Sequence, residues 1–356
     1  MNSVAFYLGS RAIYMNSLII AAGIIICSVI SCVLYKRRTG NLSAMAVFLP
    51  LSYILGALIG RLMHWYFTGS AYSGGFIQAM TDFSVGSFAL MGVIAGPWIA
   101  AGIVKLLNLT RSAGRVLDCA APGLCLVIAA VKLGAWFTSS NRGRTIKVEF
   151  LHFLPVSVAS TDAAGNVTYK FATFFIATIL MIAAFFFVKM LYDDYSRAKM
   201  FVPCSKFGNV WRMFLVISGL VEIVMDSTRT DSLLMHFRFI HKLNAYSAFI
   251  SLGQVFSLAV IIYVFVYYLV CAIRINGFSP RHILDIVLFL VSVVGIGYLG
   301  EYDLQRHGGV YLGNTAIVNG ILACYGVMIV SCVILALVIH AVFKSCVYVE
   351  DNGYEY

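Results

Sequence analysis

Residues 115–144 read RVLDCAAPGLCLVIAAVKLGAWFTSSNRGR. From Val116 to Phe137 the run holds about twenty apolar residues, enough for a helix to cross a hydrocarbon core of ~30 Å. One full charge, Lys132, sits inside it. A lysine at that depth costs roughly 2.5–3.5 kcal/mol on insertion scales. It therefore either faces a cavity or partner, or snorkels to the loop a few residues away. The choice depends on what else in the chain points at Lys132.

Composition extends this reading to the whole chain. Of 356 residues, 61% are hydrophobic and only 11% charged, with a mean hydropathy of +0.91. A soluble domain carries about 25% charged residues, so the class is an all-α polytopic transmembrane helical bundle. The N-terminal MNSVAFYLGSRAIYMN lacks the basic start and small-residue cleavage site of a signal peptide, so the first apolar run is expected to stay as a span. The net charge of +10 reflects membrane topology and gives no reason to expect a nucleic-acid partner. The nine cysteines sit mostly inside apolar runs without metal-type spacing, which reads as core packing. Cys346, just after the last run, is a candidate acylation position.

Nine apolar runs are expected to span, at 13–34, 44–66, 83–106, 116–137, 169–191, 210–226, 247–272, 283–300 and 315–343. Most flanking basic residues fall on one side: Lys36, Arg37 and Arg38; Arg111 and Arg115; Lys189, Arg197, Lys199, Lys206 and Arg212; Arg274 and Arg281; and Lys344. The positive-inside rule makes that side cytoplasmic, which puts the N-terminus outside and the C-terminal tail inside. The outer connections are then 67–82, 138–168 and 227–246. The 138–168 loop departs from the charge bias with Asn141, Arg142, Gly143, Arg144 and Lys147, either as ordinary solvated loop or as a basic rim for lipid phosphates. Gly92 and Gly96, four apart, form a small-xxx-small pattern for close helix packing.

Four acids lie in or at the edges of the runs. Asp118 and Asp285 sit near helix starts, where a carboxylate complements the macrodipole. Glu222 and Asp226 are four apart and stack on one helix face, in GLVEIVMDSTRTD (219–231) with Arg229 following. By depth, Lys132 and Arg229 are the cations nearest them, so a charged cluster is expected in the outer half of the membrane. Two readings remain: an ion-paired staple between two helices, or a polar pocket for a lipid headgroup. No GxSxG, Walker, HExxH or CxxC motif occurs, and the histidines suggest no metal site.

An ordered series of segments resembles the prolipoprotein diacylglyceryl transferase family. AIYMNSLIIAAG (12–23) resembles its first span, LIGRLMHWYF (58–67) its GARLYYVLF and GSFALMGVIAG (86–96) its GGLAIYGGIIG. LDCAAPG (117–123) is similar to LDxxAPG. VKLGAWFTSSNRGRT (131–145) takes the place of GRIGNFxNxExxGxxT. GLVEIVMDSTRTD resembles GxxRFxxExxRxD, and ISLGQVFSL (250–258) resembles LSMGQxLSL. The resemblance implies a seven-span core over residues 1–275, with residues 276–356 adding two C-terminal spans and a short tail. It implies transfer of a diacylglyceryl group from phosphatidylglycerol to a lipobox cysteine thiol of a preprolipoprotein, in a bacterial cytoplasmic membrane and without cofactor or metal.

The family's functional positions map unevenly onto this chain. Arg61, Asp118, Gly134, Gly143, Arg229 and Gln254 match, and Asp226 stands for a glutamate. Asn16 replaces a tyrosine, Met91 a histidine, Lys132 an arginine, Ala135 an asparagine, Ser140 a glutamate and Glu222 an arginine. The residues the resemblance implies for a headgroup or phosphate pocket are Lys132, Arg229, Arg142, Arg144, Gly143 and Arg61, with Glu222 and Asp226 as charge partners; no catalytic residue is assigned. Arginine-to-lysine at 132 keeps charge but loses the bidentate fork, and glutamate at 222 reverses the sign beside an anionic substrate. Two hypotheses follow: a transferase with an altered pocket, or an inactive member that binds lipid or lipoprotein.

Overall fold

The computed structural model describes residues 3–9, 11–68, 76–77, 80, 90–138, 142–146, 149–153, 156–161, 165, 167–197, 200–201, 207–229, 250–302, 304, 318–346 and 348–349. A short antiparallel hairpin, β1 (Val4–Leu8) and β2 (Arg11–Tyr14), leads into α1 (Met15–Thr39) and α2 (Ser43–Thr68). α3 (Leu90–Leu106) and α4 (Ala113–Gly134) follow, and a second hairpin, β3 (Ser157–Thr161) with β4 (Val167–Phe171), precedes α5 (Thr173–Arg197). The strand β5 (Met200–Phe201) is followed by α6 (Asn209–Thr228), α7 (Leu252–Asn276) and α8 (Pro280–Val294). A π-helical stretch, Gly295–Tyr302, prolongs α8; α9 (Val318–Cys346) and β6 (Tyr348–Val349), which pairs with β5, close the chain.

The protein is thus an all-α polytopic membrane bundle. Among the described residues, seven helical segments are long and apolar enough to cross a membrane, α3 and α6 being the helices outside that set. Each of the nine apolar runs carries one of the helices α1–α9. Helix ends differ from the expected runs by a few residues, α1 for instance reaching Thr39 rather than 34, and two of the starts have a visible cause. The fifth helix begins at Thr173 rather than 169, because Val167–Phe171 pairs with Ser157–Thr161, satisfying its backbone in a ribbon. The seventh begins at Leu252, behind a capping box made by Ser251 and Gln254. The 138–168 connection, expected as an outer loop, therefore contains most of a hairpin.

The quoted stretch forms the central helix. In α4 and its continuation, 83% of the apolar window is buried, against 22–44% in the other long segments. Small residues make that possible: a Cβ on Gly123 would lie 2.8 Å from Cys27 Sγ, so α1 lies directly against α4. On the other flank, Gly92 and Gly96 meet the backbone of Gly60 and Gly56, joining α3 to α2 with no room for side chains. Phe289, Ile296, Met328 and Leu335, from α8, the π stretch and α9, belong to the same buried core as α4, α6 and α7. Cys346 is fully buried, its thiol donating to Tyr268 O at 3.1 Å, which corrects the expectation of an acylation position.

Asp118 also takes a different role from the one expected. Its Oδ2 accepts from Gly208 N at 2.6 Å and its Oδ1 from Trp211 N at 3.0 Å, so it caps the start of α6 rather than its own helix. Around it Arg115 lies 4.4 Å and Arg38 5.3 Å from the Phe207 ring centre, and Arg212 lies 3.8 Å from that of Tyr267. This is the basic end of the bundle. The opposite end holds both hairpins: Ser3 N donates to Phe137 O at 3.2 Å, tying the N-terminal ribbon to the end of the central helix.

Candidate functional site

The hairpin end is where the central helix delivers Lys132. Its ammonium donates to Glu222 Oε2 at 2.8 Å, and both side chains are buried, Lys132 at 4% exposure. The snorkelling alternative is thereby excluded, since the amine turns inward to α6. One helical turn beyond Glu222, Asp226 Oδ1 accepts from Arg229 Nη1 at 3.0 Å, and Asp226 Oδ2 accepts from the Ser251 hydroxyl. Lys132, Glu222, Asp226 and Arg229 interact electrostatically as one cluster of two cations and two anions. Its formal charge is zero, so the desolvation of each group is offset within the cluster.

A second layer orients this cluster. Ser251 caps α7: its hydroxyl accepts from Gln254 N at 3.1 Å while Gln254 Oε1 accepts from Ser251 N at 2.9 Å. Gly253 leaves room for the acid, since a Cβ there would stand 3.0 Å from Asp226 Oδ2. The sequence reading quoted ISLGQ for its family likeness but missed the Ser-x-x-Gln capping box inside it, which is the signal that places Ser251 beside α6.

The basic segment after the central helix is bound to the same place through its backbone. Gly143 bridges Arg229, Arg144 N donates to Thr228 O at 3.2 Å, and Gly143 N donates to Phe171 O at 2.8 Å. Gly143 is required here: a Cβ would lie 2.6 Å from that of Phe171. Arg142 Nη1 donates to Ser160 Oγ at 2.9 Å, on β3. Arg144 Nη1 is buried with no hydrogen-bond acceptor among the described residues. A guanidinium N–H left without an acceptor away from water is ready to meet an anionic oxygen. Ser140, Asn141, Lys147 and Asp231 lie outside the described residues.

The remaining sequence candidates are distributed around this cluster. Asn16 opens α1 beside Gly134, whose added Cβ would approach the Asn16 carbonyl at 3.3 Å. Ala135 is buried against Ala172 and Phe174 under the β3–β4 hairpin. Arg61 is 2% exposed on α2 and follows Gly60, which meets Gly92 of α3. Met91, on α3, lines a cavity of about 10 Å³ with Leu90, Ile94, Leu215, Glu222 and Ser257. That is the space of about one water, too small for a lipid headgroup. Among the described residues, Lys132 and Glu222 are therefore packed closely together, and the Arg142–Arg144 segment and Arg229 lie toward the hairpin end of them.

Comparison with known proteins places the chain by sequence. The family model described as prolipoprotein diacylglyceryl transferase matches residues 3–271, leaving α8, the π stretch and α9 outside the match. The chain is similar to a protein named phosphatidylglycerol–prolipoprotein diacylglyceryl transferase from Trichormus variabilis, with 26% identity over 231 residues, 64% of this chain and 79% of the relative. Proteins of the same name from Lactococcus lactis and Streptococcus uberis are each 24% identical over 66% of this chain, covering 85% and 86% of their own lengths.

Proposed function

Since the chain belongs to the prolipoprotein diacylglyceryl transferase family, we propose that it transfers the diacylglyceryl group of phosphatidylglycerol to a lipobox cysteine of a preprolipoprotein. The thiolate sulfur forms a bond to the terminal glycerol carbon of the diacylglycerol. The carbon–oxygen bond to phosphate breaks, glycerol phosphate leaves, and the thiol proton passes to solvent or to a base. The membrane is the bacterial cytoplasmic membrane, with the hairpin end and N-terminus outside and the basic end and C-terminus in the cytoplasm, as the distribution of lysine and arginine supports.

The observation that carries this reading is the fastening of the Arg142–Arg144 segment to Arg229, with the Arg144 Nη1 buried and without an acceptor. In this reading Arg144 and Arg229 hold the phosphate and stabilise the charge that gathers on it as the bond breaks, with Asp226 setting the Arg229 fork. Lys132 contributes little to lipid attraction because Glu222 neutralises it at 2.8 Å.

Purified protein reconstituted with phosphatidylglycerol and given a lipobox peptide yields the thioether-linked diacylglyceryl peptide, read by mass spectrometry. Arg144→Ala lowers turnover at limiting lipid by about tenfold, the cost of losing one charge-assisted contact. The closed Lys132–Glu222 pair favours a second reading, in which the rim binds phospholipid without transfer. Bound lipid with no thioether product, across several anionic donors, selects that reading and overturns the first.

A further inference from the structure

Glu301 lies on the π-helical stretch, beyond the family-matched residues, and is 3% exposed. Its Oε2 accepts from Gln254 Nε2 at 2.8 Å. The same nitrogen donates to Ile223 O on α6 at 3.2 Å, while Gln254 Oε1 accepts from Ser251 N. Both ends of the Gln254 amide are thus committed, and flipping the amide would break all three bonds. Ser251, held by that amide, donates its hydroxyl to Asp226 Oδ2, and Asp226 Oδ1 accepts from Arg229 Nη1. A continuous chain of hydrogen bonds runs from the C-terminal helix pair to the guanidinium at the rim.

We infer that Glu301 is a positioning residue, fixing Arg229 through Gln254, Ser251 and Asp226, so that the C-terminal helix pair completes the lipid site. A carboxylate buried at this depth is costly unless partnered, and the amide bond it makes is charge-assisted. Hydrogen-bonded networks in a low dielectric polarise one another, so disturbing one end is felt at the other. The π turn that carries Glu301 is itself held in place: a Cβ on Gly295 would strike Ser331 Oγ at 2.3 Å and one on Gly300 would strike Met328 Cγ at 2.1 Å, so α9 locks the stretch from behind. α9 also reaches α6 directly, with Tyr325 donating to Ser227 O at 3.2 Å, one residue past Asp226.

This inference rests on the lipid-binding part of the reading above, and its test separates the two. The full chain is reconstituted in phosphatidylglycerol vesicles, and lipid KM, kcat and lipid Kd are measured for Glu301→Ala, Glu301→Gln and Phe289→Leu. Phe289, on α8, stacks on Phe265 of α7 at 3.9 Å and has no hydrogen-bonding group with which to join the relay, so its variant reports on loosened packing. Glu301→Ala raises lipid KM and Kd about tenfold with kcat within about twofold. Glu301→Gln keeps an oxygen acceptor for Gln254 and stays within about threefold of the parent. Unchanged KM and Kd in Glu301→Ala overturn the inference, as does an equal rise in Phe289→Leu at matched thermal stability. If the parent chain yields no thioether product but binds lipid, transfer fails as a function and the Kd series alone decides the relay. No lipid binding by the parent overturns both.

Discussion

Two ends of this bundle bury carboxylates, and they hold them in different ways. At the basic end Asp118 takes its partners from the backbone of α6, at 2.6 and 3.0 Å. At the hairpin end Glu222 and Asp226 take theirs from side chains: Lys132, Arg229 and Ser251. Backbone donors at a helix start have no rotamers and no alternative acceptor nearby, so Asp118 is consumed in joining α4 to α6. Side-chain donors can exchange one acceptor for another. Arg229 in particular keeps a partly exposed side chain, and its backbone is bridged to the Gly143 that precedes Arg144. The difference separates an acid that joins two helices through backbone from acids held by side chains in the proposed lipid site, and it leaves the Lys132–Glu222 pair between the two.

The sharpest way to break the comparison is at that pair. Glu222→Ala leaves the Lys132 ammonium uncompensated inside the bundle and lowers stability by about 3–5 kcal/mol, as does Lys132→Ala for the carboxylate. Replacing both, Lys132→Met with Glu222→Leu, returns stability to near the parent, because two desolvation costs vanish with the attraction. Thermal unfolding in detergent measures both steps. Thioether formation by the double variant then assigns the pair: retained activity makes it a staple like Asp118, and lost activity returns it to the site.

Asp118→Ala comes next. It orphans two backbone donors at the start of α6 and lowers stability by about 2–4 kcal/mol. Lipid Kd, measured at a temperature where the variant is folded, stays at the parent value, because the rim at the opposite end is untouched. A rise in Kd matching that of Arg144→Ala would abolish the distinction between the two ends.

Much of this was legible in the sequence, and the limits are physical. Among the described residues each of the nine apolar runs carries a helix, because helices are how an open chain satisfies its backbone in lipid. The i, i+4 spacing of Glu222 and Asp226 and the depth of Lys132 were enough to anticipate a mixed-charge cluster. The β3–β4 hairpin was missed because the alternating VTYKF (167–171) runs straight into the fifth apolar run and was partly read as its first turn, while its partner SVAST (157–161) lacks alternation. Asp118 was assigned to its own helix because sequence distance is silent about α6, ninety residues on. Glu301 could not be recognised at all: its partner, Gln254, is 47 residues away, and the π turn that aims it has no sequence signature.

The smallest expected effect tests whether the rim needs every arginine that the basic segment carries. Arg142 is already engaged, with Nη1 on Ser160 at 2.9 Å and Nη2 on the Thr138 carbonyl at 3.4 Å, so it braces β3 against the end of the central helix. Ser160→Ala removes one half-buried bond and costs about 0.5–1.5 kcal/mol. If Arg142 only braces the hairpin, that loss appears as a fall in thermal midpoint with lipid Kd unchanged. If the freed guanidinium instead turns to the phosphate, Kd tightens by a few fold while stability falls. The sign of that change tells whether Arg142 joins Arg144 and Arg229 at the phosphate, and so how far the side-chain half of the molecule extends beyond those two.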